Sequence, residues 1–231
     1  MRQAYTSIER RSFLGLCLLA GGDVIAQPIK PTYFIYLSDI FGLLSPPQYI
    51  GVANELKTLF DPIIRLNGRY SSVEVLWIPT NFLKYPLDSL AVHITPPDCS
   101  IANEARGLRP SDPRDVLLTD GATFIHNDPS KDNGDGFVVS EVFGSTQDVT
   151  ALSRLIFHEG MHNKLLMSSA QLHPLGGLAS ASIGPGTLLT PGNIQSMAAV
   201  LHLPRVQMKD ALAKIIDRRL RRDTGDPNWN L

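Results

Sequence analysis

Between residues 48 and 66 the apolar side chains Ile50, Ala53, Leu56, Leu59, Phe60, Ile63 and Ile64 recur three and four apart, the spacing that turns one face of a helix toward a core. Pro47 suits a first helical turn and Asn67-Gly68 stops the helix. Residues 72–79, with Val73, Val75, Leu76, Trp77 and Ile78, read as a strand. Shorter apolar pieces at 90–94, 116–119 and 122–126 continue the strand character, and Phe137–Phe143 is the strongest of them. Helical periodicity returns over residues 145–169, where Ser145 and Asp148 form a capping pair. A loop marked by Pro174, Gly176, Gly177, Gly184, Pro185 and Gly186 follows. Thr190-Pro191 then opens a helix to about His202, Pro204 closes it, and a last amphipathic helix covers 206–222. Residues 27–47, rich in proline and aromatics, read as a packed lead-in. Helix, strands, strong helix, irregular loop and two helices together predict an α+β fold.

The first 26 residues have a different pattern. Arg10-Arg11 precede Phe13-Leu14, a short apolar stretch around Cys17, and Ala26 before Gln27-Pro28. These are the parts of a secretory signal, and the arginine pair resembles a twin-arginine export signal. The expected organisation is an export signal over 1–26 and one domain over 27–231, giving a periplasmic or secreted protein. If the N-terminus is not a signal, the protein is expected in the cytoplasm. Cleavage after Ala26 would leave Cys99 as the sole thiol.

Composition adds exclusions. The chain has 231 residues, 43% of them hydrophobic, and a net charge of −1. Balanced charge gives no basic stripe for nucleic acid. The absence of an apolar run of 18 residues gives no stable membrane insertion, and two cysteines cannot supply a thiolate zinc site. Nothing in the composition specifies an oligomeric state.

Chemistry concentrates in His158-Glu159-Gly160-Met161-His162, an HExxH pattern on the strong helix. At 100° per residue His158 and His162 stand one turn apart on one face, so both imidazoles can reach one metal ion. Glu159 lies beside that face, where it can accept a proton from water on the ion. Two imidazoles and one further ligand leave a tetrahedral position for that water, whose pKa zinc lowers to about 7. The expected activity is zinc-dependent hydrolysis of peptide bonds in a peptide or protein substrate, with Glu159 as general base. Val149, Leu152, Ile156, Gly160 and Met167 make the helix largely apolar, and burying two imidazoles and a carboxylate without partners would be costly.

On this motif the chain resembles the zincin metallopeptidases. The resemblance implies a small twisted sheet packed on the HExxH helix and a substrate extended along the sheet's edge strand, which it would place at Phe137–Phe143. It covers about residues 48–175, and its specific part is five residues long. The branch with a later glutamate ligand does not fit, since no glutamate follows Glu159; HExxHxxGxxH does not fit either, since Leu165 replaces its glycine. His173 is the expected third ligand, with Asp210 and His202 as alternatives; His202 otherwise reads as a histidine at a helix C-terminus. Met197 could lie beneath a metal but reads as a core residue.

Weaker signals read as structural. Asp128, Asp132, Asn133 and Asp135 crowd one loop but miss the calcium-binding pattern. The arginines at 218–222 read as a solvated helix end. His93 and His126 read as core residues. Cys99 could ligate a metal as in peptide deformylases, whose sequence context is missing here. Two other functions stay open: a catalytically silent module on a zincin scaffold, and a deformylase-like metallo-amidase.

Overall fold

A computed structural model describes residues 29–78, 85–105, 120–131, 136–143 and 148–226. Strand β1 (Thr32–Ser38) leads into helix α1 (Pro46–Asn67) and returns as β2 (Ser72–Trp77). Prolines fill the first turn of α1, and Gly68, at φ 69°, ends it by donating its N–H to Ile64. Then come β3 (Leu90–Thr95), a 3₁₀ turn at Pro97–Cys99, α2 (Ile101–Ala105), β4 (Gly121–His126) and β5 (Phe137–Phe143). The motif helix is α3 (Val149–Leu165), followed by α4 (Ser169–Leu172), 3₁₀ turns at His173–Leu175 and Gly177–Ala179, α5 (Pro191–Val200) and α6 (Ala211–Asp223).

The five strands form one mixed sheet in the order β2-β1-β3-β5-β4; the first four are parallel, and β4 runs antiparallel to β5. Strand alternation sends Tyr33, Ile35, Leu37, Leu90, Val92, Ile94 and Val142 to one face, where they pack with Leu56, Phe60, Ile156, Phe157 and Met197 of α1, α3 and α5. The other face carries Tyr36, Ala91, Val139 and Phe143 against Ile101 and Ala102 of α2 and Leu212 and Ile215 of α6. The result is an α/β layering that contains the expected sheet and helices. No helix among the described residues is long and apolar enough to cross a membrane.

Several sequence expectations need correction. The lead-in at 27–47 contains β1, a strand inside the sheet; burial on both faces removes the polar alternation that would have marked it. Phe137–Phe143 is also interior, and the edge beside α3 is β4. Its near-continuous burial, against the half-buried residues of β4, is the mark of a strand covered on both sides. The last helix starts at Ala211, because residues 206–208 bond to the start of β5 through Val138 N–H to Val206 O and Met208 N–H to Val138 O, both 2.8 Å. Asp148 caps α3 as expected, accepting from Ala151 N–H at 2.9 Å. The arginines near 218–222 are not a purely solvated end: Arg218 pairs with Glu104 and donates to Ser100 O, Arg219 donates to Ile40 O, and Arg222 lies 4.7 Å from the Phe41 ring centre. The export segment 1–26, the piece at 116–119, Ser145, and Asp132, Asn133 and Asp135 lie outside the described residues.

Candidate metal centre

Helix α3 is buried on nearly every side through its second half, including His158, Glu159 and His162. A side chain at Gly160 would put its Cβ 2.8 Å from Leu90 Cδ2, so the glycine inside the motif lets α3 lie close against β3. That approach sets the two histidines beside β4 rather than in solvent.

The imidazoles are oriented through their inner nitrogens. His158 Nδ1 lies 2.9 Å from Leu178 O, and His162 Nδ1 lies 2.7 Å from Met167 O. A carbonyl only accepts, so each Nδ1 carries a proton, and in the neutral ring Nε2 then holds a lone pair. The two Nε2 atoms are 3.2 Å apart. Two neutral rings at that distance bring their lone pairs face to face, an arrangement relieved by a shared proton or by a metal cation between them. A tetrahedral zinc ion about 2.0–2.1 Å from each nitrogen would hold them about 3.3–3.4 Å apart. Burial pushes the His158 pKa down to about 4, which keeps its ring neutral and able to ligate.

The third histidine arrives by a turn. Leu166 takes the left-handed conformation, φ 54° and ψ 39°, and ends α3. The chain then folds back so that Met167 O meets His162, Ser168 and Gln171 form a capping box, and α4 hands over to His173. The His173 ring centre lies 5.4 Å from that of His158 and 5.6 Å from that of His162. One ligand atom from each of the three residues lies within 4.8 Å of the others. His173 is half-buried and lines the same groove.

Behind His158, the turn at 176–178 is tied to α5 by Asn193. Its Oδ1 accepts from Leu178 N–H at 3.0 Å and its Nδ2 donates to Gly176 O at 3.0 Å. The buried amide thereby aims Leu178 O at the imidazole.

Glu159 points toward β4. Thr123 Oγ1 lies 2.6 Å from its Oε2. At Gly121 a Cβ would fall 2.7 Å from Glu159 Oε1 and 2.9 Å from its Cγ, so the carboxylate occupies the space a side chain there would need. A groove of about 670 Å³ opens over the three histidines and Glu159, walled by residues 120–125 on one side and by 166–169 and 181–183 on the other.

The other sequence candidates are elsewhere. Asp210 pairs with Lys214 at 3.4 Å, and His202 lies 3.5 Å from Asn67 Nδ2; neither joins the histidine cluster. Met197 is fully buried in α5. Buried Cys99 lies 3.9 Å from an Arg222 nitrogen, and burial lifts its thiol to about 12. Asp128 accepts from the backbone and hydroxyl of Ser130 and pairs with Lys131, as an ordinary turn does. His93 is a buried core residue with Nδ1 2.6 Å from Ser38 Oγ, whereas His126 is half-buried and stacks on Phe137 at 5.0 Å. Gly121, Thr123 and Asn193 carry no local sequence signal, because each meets the site only through tertiary packing. Comparison with family models, curated proteins and solved structures finds no match to this chain.

Proposed function

We propose that the chain is a zinc-dependent metallopeptidase in which His158, His162 and His173 hold the ion and Glu159 is the general base. The observation that carries the reading is the facing pair of Nε2 lone pairs, 3.2 Å apart with both Nδ1 protons already committed to carbonyls. That donor set suits a borderline ion such as zinc. Bound there, zinc supplies a Lewis acid that acidifies water and polarises a substrate carbonyl. Glu159 accepts the proton of the attacking water and passes it to the leaving amide nitrogen. Leu178 O and Met167 O keep both rings in the ligating orientation, as outer partners of metal-bound histidines do.

The zincin likeness gains support from a mixed sheet whose antiparallel edge strand, β4, borders both the motif helix and the groove. An extended peptide added along that edge would be held by backbone hydrogen bonds, with its scissile bond over Glu159. The deformylase-like alternative loses its ligand, since Cys99 stands apart from the histidines.

Two measurements test the proposal together. Metal-free protein is expected to take up one zinc per chain, and the loaded protein to cleave a mixed peptide library until a chelator is added. Glu159→Gln is expected to keep the zinc and lose at least about 100-fold in kcat, the share a general base supplies. Zinc uptake without cleavage in the unaltered protein would identify a silent binding module instead.

A further inference from the structure

A chain of largely buried polar side chains runs from Gln207, beside the start of β5, to Glu159. Asn163 and Gln207 exchange amide hydrogen bonds, Asn163 Nδ2 to Gln207 Oε1 and Gln207 Nε2 to Asn163 Oδ1, both 3.0 Å. The second hydrogen on Asn163 Nδ2 goes to Ser140 Oγ at 3.0 Å. Ser140 Oγ is 2.9 Å from Thr123 Oγ1, and Thr123 Oγ1 is 2.6 Å from Glu159 Oε2. Asn163, Ser140, Gln207 and Glu159 are buried.

The direction of the bonds follows from counting hydrogens. Thr123 has one hydroxyl hydrogen, and its shortest contact is to a carboxylate, which only accepts; the hydrogen therefore points at Glu159. Ser140 accepts from Asn163, and with the Thr123 hydrogen directed at Glu159 the Ser140 hydroxyl is the one left to donate between the two. Every donor then points the same way, toward the negative charge, and each bond polarises the next. The layout comes from two registers: Thr123 and Ser140 face each other across β4 and β5, and Glu159 and Asn163 lie one turn apart on α3 above them.

We infer that Thr123, Ser140 and Asn163, anchored by Gln207, are positioning residues that hold the Glu159 carboxylate in its working orientation. The inference rests on the proposed role of Glu159. Without the chain, Thr123 can turn its hydroxyl to Glu159 O at 3.3 Å instead, and the carboxylate loses the Thr123 bond that orients it.

The test combines a rate with a measurement that needs neither metal nor substrate. Thr123→Val keeps the shape of the side chain and removes the donor. It is expected to lower kcat about 100-fold, the cost of a misplaced reacting group, with KM within about twofold, while Thr123→Ser restores most of the rate. Ser140→Ala, which breaks the chain one step back, is expected to cost about tenfold in kcat. In metal-free protein, Thr123→Val and Glu159→Gln are each expected to displace the Asn163 side-chain amide resonances, with the remaining backbone spectrum preserved. Unmoved Asn163 resonances, or an unchanged kcat in folded Thr123→Val, would overturn the inference. Displaced resonances in a protein that cleaves no peptide would leave the chain of bonds established while removing the peptidase reading and the positioning role with it.

Discussion

His173 reaches the other two histidines because one residue, Leu166, adopts a conformation that leucine seldom takes. A non-glycine residue in the left-handed region costs about 1 kcal/mol or more, and such positions gather at functional sites where the surroundings compensate. Here the return is the reversal that brings Met167 O to His162 and, six residues later, the imidazole of His173 to the cluster. His173→Ala is expected to weaken zinc binding more than about 100-fold, since losing even an outer partner of a ligand costs 10- to 100-fold. Asp210→Ala and His202→Ala should leave it unchanged. A competition titration against a chelator separates the three, and undiminished affinity in His173→Ala would remove that residue from the site. Gly121 makes a second residue-scale case. Gly121→Ala puts a methyl where the Glu159 carboxylate now lies, so kcat should fall about 100-fold while zinc affinity holds. An unaffected kcat would show that Glu159 works from another position.

At the scale of elements, the proposed centre leans on α5 although that helix contributes no histidine to it. Asn193 lies in its first turn, accepts at the helix N-terminus from Thr190 N–H at 3.3 Å, and with the same side chain grips the loop that aims Leu178 O at His158. Asn193→Ala strands Leu178 N–H and Gly176 O, at a cost of about 1–3 kcal/mol. It is also expected to lower zinc affinity about tenfold through the loosened His158 ring. Urea unfolding and zinc titration measure the two effects separately, and a loss of stability with full zinc affinity would refute the link. The same elements explain what could be read in advance. HExxH is legible because helical spacing alone brings His158 and His162 together. His173 could be reached only by eliminating other residues, since its place depends on the reversal at Leu166, which no residue type announces. β1 and the interior position of β5 were hidden because a strand buried on both faces loses its alternation, and the order of strands in a sheet is decided by pairing between distant segments.

For the whole molecule, the notable charge feature is how many bases are buried neutral. Burial pushes His93 and His158 down to about 4 and Lys164 down to about 7, the last held by Leu203 O at 2.9 Å. A base with a depressed pKa binds its proton more readily in the unfolded chain, so between its folded and unfolded values stability rises with pH. The two histidines therefore contribute stability that is complete above about 6.5 and drains away as pH falls toward 4. Lys164 adds the same slope between about 7 and 10.5. Acids work against this at the alkaline end: burial raises Tyr70 and Tyr85 well above the usual phenol range and Cys99 to about 12, so the unfolded chain releases those protons first and stability falls above about pH 9. The metal-free protein should thus be most stable in mildly alkaline solution. His93 offers a test apart from the histidine cluster, because it lies on the other face of the sheet, beside Tyr85 and bonded to Ser38. In His93→Asn the slope of unfolding free energy between pH 4 and 6.5 should drop by up to about 1.4 kcal/mol per pH unit, the value for one proton. Urea denaturation across that range reads the slope directly; parallel curves for the variant and the unaltered protein would mean that His93 is already protonated in the folded core.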